Sequence, residues 1–374
     1  MTPKKILFFT PNGGRGGSEM MLWYLTKELD KQKIDWKVIT FGKGDLLNEK
    51  NYPGKVHLLP SKKGRKSEII SKINRNLFRY DLDDKFISKI NRNFKPDIWY
   101  FNTIITIEKA YLAVNKNIKY AFHLHESLTV FDKIDKNTLS KAISNSYLNI
   151  GCSKKLSCNL EILGSKKTTT LFSGVDFSKI KIGIGKKEIR QKLQIHENDF
   201  VWYMSGIQSV TKGLDYFVKI AEKFKNYPNV KFVWVGRKRN TGYNLWCENY
   251  VLEKNLDNLF ILNELSDDYF SHINAFDALL LTSREDSFPL VMLEAAYLSK
   301  PIVGFNSGGV AEFIKSKTGL IQEDLSITGI VAKMNSIMNK ESEICQKHTK
   351  ERALEFDIKN ISDKWLNIIS NESF

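Results

Sequence analysis

Two carboxylates with seven residues between them, Asp286 and Glu294, are the pair in this sequence best placed to do chemistry together. Between them a polar turn gives way to helical spacing at Leu290, Leu293, Glu294 and Tyr297. Pro289 can sit in the first turn of that helix, where its missing N–H costs nothing. The amides at the helix start, around Phe288 to Val291, are a natural phosphate seat because they lack intrahelical acceptors. Acids beside such a seat repel a phosphate unless they bind neutral donors such as hydroxyls. The combination suits a nucleotide sugar, with amides for the diphosphate and acids for sugar and ribose hydroxyls. A plainer reading stays open: Asp286 caps the helix and Glu294 is a solvated surface residue.

Three further positions carry chemical potential. Lys212 lies in Gly206-Ile207-Gln208-Ser209-Val210-Thr211-Lys212-Gly213, just ahead of an amphipathic helix. There an ammonium and free amides can share a diphosphate. His125 and Glu126 end the apolar run that starts at Tyr120, and alternation puts His123 and His125 on one face. Gly16 and Gly17 fall between an apolar run and a helix from about Met20 to Lys31, where backbone can approach a ligand closely. Their spacing matches neither the dinucleotide fingerprint nor a Walker loop, so a flexible turn is an equal reading.

The elements that position these residues are short buried strands alternating with helices. Lys5–Thr10, 36–41, 97–102, 120–126 and 147–152 read as strands in the first half; 200–205, 231–235, 259–262, 278–281 and 302–303 do so in the second. Strand, polar turn, helix, strand is the βαβ unit of a parallel sheet. Ligands of such sheets bind beyond the carboxyl ends of the strands, where all the residues above lie.

The chain of 374 residues is long enough for two domains, and its apolar fraction of 42% supports real cores. Its net charge of +15 implies an acidic partner: a membrane surface, a nucleic acid or an anionic substrate. Lys62, Lys63, Arg65, Lys66, Lys72, Arg75 and Arg79 crowd one segment with apolar residues such as Ile69, Ile73 and Phe78. That pattern suits a basic amphipathic helix on an anionic membrane, or an ordinary solvated helix. It lacks the interleaved aromatics of a nucleic-acid platform, so no nucleic acid is expected. Asp81-Leu82-Asp83 superficially matches a metal-binding DxD but lacks a strand-end setting, and reads as surface decoration. Four scattered cysteines without metal-ligand spacing fit reduced thiols in a cytosol. No apolar run is long enough for a signal sequence or a membrane span.

The stretch from Leu281 to Ile314 resembles the acid motif of the retaining glycosyltransferases of family 4, the group 1 glycosyl transferases. The family pattern is two glutamates separated by seven residues around a Phe-Gly-Leu-like turn; here Asp286 replaces the first glutamate and Pro289 the glycine. Gly16-Gly17-Ser18-Glu19 resembles the family's first loop, and Leu171 to Asp176 its crossover between domains. His125 matches a family histidine near donor sugar and acceptor. Lys212 matches a family lysine, while Ile207 stands where the family has an arginine. Either Lys212 works alone or Arg237 supplies the second charge.

The resemblance implies an α/β GT-B fold, two facing Rossmann-like domains with a cleft between them. The expected bounds are 1–175, with a helix at 353–374 packing back, and 176–352. It implies transfer of a sugar from a nucleotide diphosphate, expected to be a UDP-sugar, to a glycan or lipid-linked acceptor with retention and no cofactor or obligatory metal. Asp286, His125 and Glu294 are then the catalytic-centre residues; Gly16, Gly17, Lys212, Arg237, Phe288, Pro289 and Leu290 join Glu294 around the donor. The basic segment would meet the membrane or acceptor. Richness in lysine, asparagine and isoleucine hints at a low-GC bacterium and surface polysaccharide synthesis at the inner face of the cell membrane. The alternatives are a non-catalytic partner of another glycosyltransferase and a GT-B-type epimerase.

Overall fold

Apolar runs too short for helices become strands buried on both faces. In Lys5–Thr10 (β1), for instance, every residue after Lys5 is buried. A computed structural model describes residues 4–64, 66, 68, 71, 81–126, 128–263 and 268–371. The chain divides into two compact units, Met1–Ser173 with Ile358–Phe374, and Gly174–Asp357.

The first unit is built on a parallel sheet in the order β3-β2-β1-β4-β5-β6-β7. The other strands are Asp35–Thr40 (β2), Val56–Leu58 (β3), Ile98–Phe101 (β4), Tyr120–Leu124 (β5), Leu148–Gly151 (β6) and Thr168–Thr170 (β7). The order reverses between β1 and β4, which opens a crevice at their carboxyl ends. The Gly17–Lys31 helix enters there, burying Met21, Leu22, Leu25 and Leu29 at helical spacing. The Ile358–Asn371 helix belongs to this unit and buries Trp365, whose indole N–H donates to Tyr100 Oη at 2.8 Å.

The second unit holds a parallel sheet in the order β10-β9-β8-β11-β12-β13. Its strands are Phe200–Ser205 (β8), Val230–Val235 (β9), Leu259–Leu262 (β10), Ala278–Leu281 (β11), Ile302–Phe305 (β12) and Gly319–Gln322 (β13). Here the reversal falls between β8 and β11. The Leu214–Lys223 helix follows β8 with Asp215 in its first turn and Lys223 in its last, both favourable to the helix dipole. Its buried Leu214, Phe217, Val218 and Ile220 each add about 1.5–3 kcal/mol by leaving water. Residues 353–357, expected with the returning helix, stay in this unit. Val175 N–H donates to Phe356 O at 3.1 Å, and Phe356 packs against Phe288 and Phe313.

The surface reading of Asp81 to Asp83 does not hold. Asp83 is buried, accepting from Ser61 N–H at 2.9 Å and Ser61 Oγ at 2.6 Å. Asp81 caps the Leu82–Phe94 helix through the amides of Asp83 and Asp84. It also meets the buried Lys109 ammonium at 3.1 Å, so these acids are structural. In the basic segment Lys62, Lys63 and Lys66 are exposed, while Arg65, Lys72, Arg75 and Arg79 lie outside the described residues. Among the described residues no helix is long and apolar enough to cross a membrane.

Candidate active site

In the second unit, the loops that leave β8 and β11 sit side by side because those strands are neighbours at the reversal. The β11 loop carries Asp286 and turns into the Leu290–Tyr297 helix, with Pro289 at the N-cap position rather than inside the first turn. No side chain caps this helix, so Asp286 is not its cap. Its carboxylate instead accepts from Lys212 Nζ at 2.5 Å and from Ser283 Oγ at 3.1 Å. Lys212 is thereby placed beside the acid-bearing turn, 74 residues away in sequence.

Glu294 is half-buried rather than solvated, and accepts a 2.9 Å hydrogen bond from Tyr269 Oη. Burial pushes its carboxyl up to about 7 against the lowering effect of the Tyr269 bond. Tyr203 Oη is buried with no hydrogen-bond partner among the described residues, and burial followed by the Glu294 charge keeps its phenol protonated. Phe288 and Pro289 are buried and Leu290 is half-buried, so this turn is packed into its unit rather than solvated. Arg237 is exposed and forms no ion pair among the described residues; its carbonyl, not its side chain, ties the loop by accepting from Gln208 N–H at 3.1 Å.

The first unit places a different group at its own reversal. Gly16 is the N-cap of the Gly17–Lys31 helix, and a Cβ there would stand 2.2 Å from Glu19 Oε2, so a larger residue must displace that carboxylate. Glu19 is buried, accepting from Asn12 Nδ2 and Ser18 Oγ, both at 2.9 Å. Burial raises its carboxyl above the usual range. Asn102, just past β4, donates to Ser18 O at 2.9 Å and fixes the same loop.

Strand β5 stops at Leu124, so His125 and Glu126 lie just past its end. Glu126 Oε2 accepts from His125 N–H at 3.0 Å and Ile104 N–H at 3.2 Å. Burial pushes this carboxyl up to about 7, the two amides pull it down, and the Glu19 charge adds to the rise. The His123 and His125 rings lie 4.1 Å apart, as alternation requires of one strand face. Burial takes His123 down to about 4 and His125 well below the usual imidazole range, with His123 adding to the latter. Both rings are therefore neutral near pH 7. The Nε2 atoms of both, and Thr103 Oγ1, are buried without hydrogen-bond partners among the described residues.

The spacing of single residues gives no hint of several participants. Arg284 meets Asp215 across 69 positions, and Tyr269 meets Glu294 across 25, contacts that only the sheet order creates. Glu19 had a signal, the glycines before it; Thr103 had none.

Known proteins resemble this chain in sequence and in fold. Residues 185–355 match the model of the family described as "Glycosyl transferases group 1". An uncharacterized glycosyltransferase of Haemophilus influenzae is 26% identical over 390 residues, covering 98% of this chain and 100% of the relative. The alpha-galactosylglucosyldiacylglycerol synthase of Streptococcus pneumoniae is 30% identical over 118 residues, 31% of each chain. Among solved structures, Anabaena Alr3699/HepE in complex with UDP and glucose superposes with a TM-score of 0.81 at 19% identity, covering 98% of this chain and 99% of that one. Residues 185–355 are thus a group 1 glycosyltransferase domain, and the chain is a glycosyltransferase with the GT-B type of fold.

Proposed function

We propose that this glycosyltransferase takes its sugar from a UDP-sugar and passes it, with retention at the anomeric carbon, to a glycan or lipid-linked acceptor. The observation that carries the donor assignment is the meeting of Lys212 with Asp286 at the β8/β11 reversal, with Glu294 on the helix that follows. Lys212 and the helix-start amides hold the diphosphate, Glu294 the ribose hydroxyls, and Asp286 the transferred sugar. The Gly16-Gly17 loop and His125 shape the acceptor side. A UDP-bound neighbour of the same fold supports the choice of base.

In the reaction the bond from the anomeric carbon to the diphosphate oxygen breaks. A bond from the acceptor oxygen to that carbon forms on the same face, and the acceptor's proton passes to the departing diphosphate. Lys212 stabilises the charge that develops on that oxygen, so no resident metal is required of this chain. Neutral His125 can accept hydrogen bonds from sugar hydroxyls at its Nε2. The exposed Lys62, Lys63 and Lys66 are consistent with work at the inner face of a bacterial membrane, on surface glycans.

The test is thermal stability of wild type and Glu294→Ala against UDP, GDP, ADP and their common sugars. A UDP-sugar that stabilises wild type but not the variant supports the reading. No shift with any nucleotide at millimolar concentration overturns it.

A further inference from the structure

The Lys212 loop is held where it is by a neighbouring loop, in which Arg284 supplies two of the three bonds, one from its side chain and one from its main chain. Three consecutive carbonyls of the Lys212 loop are bound by residues leaving β11. Val210 O accepts from Arg284 Nη1 at 2.8 Å, Thr211 O from Arg284 N–H at 2.9 Å, and Lys212 O from Thr282 Oγ1 at 3.1 Å. The guanidinium then forks onto Asp215, the first-turn acid of the next helix, at 2.7 and 2.6 Å. Asp215 also accepts from Tyr243 Oη at 2.7 Å, and the guanidinium lies over the Tyr216 ring at 4.3 Å. Gly213 closes the loop with φ of +72°, and a Cβ there would stand 2.0 Å from Thr282 O. The loops are in main-chain contact, so the Lys212 backbone cannot drift from Asp286 unless this fastening opens.

We propose that Arg284 is a positioning residue of the donor site: with Asp215 it fixes the Val210–Lys212 backbone so that the Lys212 ammonium meets the donor diphosphate. The proposal rests on the assignment of Lys212 to the diphosphate. Arg284 acts through Lys212 and not on the phosphate itself, since its fork is engaged by Asp215 and Val210 O. A lysine in its place keeps the charge but loses the planar fork that reaches both partners.

The experiment is calorimetric titration of UDP, GDP and ADP into wild type, then of the tightest of the three into Arg284→Gln, Arg284→Lys, Asp215→Asn, Lys212→Ala and the double variant Lys212→Ala with Arg284→Gln. Ligand-free melting temperatures are recorded beside each. Arg284→Gln should weaken binding about tenfold, the scale of one charge-assisted hydrogen bond, with Arg284→Lys recovering only part. The double variant should bind no more weakly than Lys212→Ala alone, because the arginine acts through the lysine. Two outcomes overturn the proposal: Arg284→Gln binds like wild type even where its melting temperature falls, or the two losses multiply in the double variant. Binding of none of the three to wild type removes the donor assignment itself, and this proposal with it.

Discussion

The two sheets put their reactive side chains in equivalent places, beyond the strand ends at the point where strand order reverses, yet the two groups differ in charge. The second unit pairs Lys212 with Asp286 and Arg284 with Asp215. The first unit gathers Glu19, Glu126, His123, His125 and Thr103, and neither carboxylate there has an ion-pair partner among the described residues. A phosphate can be held where a cation is already fixed beside free helix amides. Where buried carboxyls and neutral imidazoles meet, hydroxyls are the better match, because they can donate to one group and accept from another. Under the proposed function the second unit offers the anion seat and the first a hydroxyl seat, and the difference lies in the loops.

The sharpest way to break that contrast is to remove the cation. Lys212→Ala should weaken UDP binding by about 10- to 100-fold, the loss expected for a charge-assisted contact to phosphate. Calorimetry measures it, and an unchanged affinity would move the phosphate elsewhere. Next comes Glu294→Gln, with an expected loss of about tenfold at pH 8 if its carboxylate accepts from the ribose hydroxyls. With its carboxyl near 7, wild-type affinity should climb between pH 6 and 8 more steeply than that of the Gln variant. Parallel pH profiles would deny Glu294 this role.

Stability offers a test of both seats at once. The raised carboxyls of Glu126 and Glu294 hold protons more tightly in the folded than in the unfolded chain. Their contribution is complete below the unfolded value near 4.5 and is lost as pH rises through about 7. Glu126→Gln and Glu294→Gln should each flatten the fall in melting temperature across that window. A slope as steep as wild type would mean the carboxyls titrate normally. On the hydroxyl side, Glu126→Gln should leave UDP affinity within about twofold while impairing sugar transfer, since the proposed diphosphate and ribose contacts are made by residues of the second unit. The smallest effect is expected at Arg237: exposed and without an ion pair, its replacement by Ala should change UDP affinity by less than about twofold.

Much of this was readable without coordinates, and the reason is local. Strand spans such as 5–10, 200–205, 259–262 and 278–281 follow from uninterrupted apolar runs bounded by polar turns, which have one stable solution in a doubly covered sheet. The shared face of His123 and His125 follows from the two-residue repeat of a strand. Sequence erred where burial is decided by distant neighbours. Asp81 and Asp83 look like surface acids until Lys109 and Ser61 are brought to them. For Glu294, already read as a site residue, the plainer solvated alternative falls only when Tyr269 arrives from another helix.

The two Rossmann-like halves were implied by the family resemblance, while the sequence by itself determined the alternation of strand and helix and the strand-end positions of Gly16, His125, Lys212 and Asp286. Each depends on hydrophobic periodicity and on glycine or proline within a few residues. Only the tertiary structure decided who meets whom: Lys212 with Asp286, Arg284 with Asp215, Glu126 with the amide of Ile104. Those pairings are set by which strands lie side by side. Strand order is fixed by packing of the whole sheet, a property no local stretch of sequence carries.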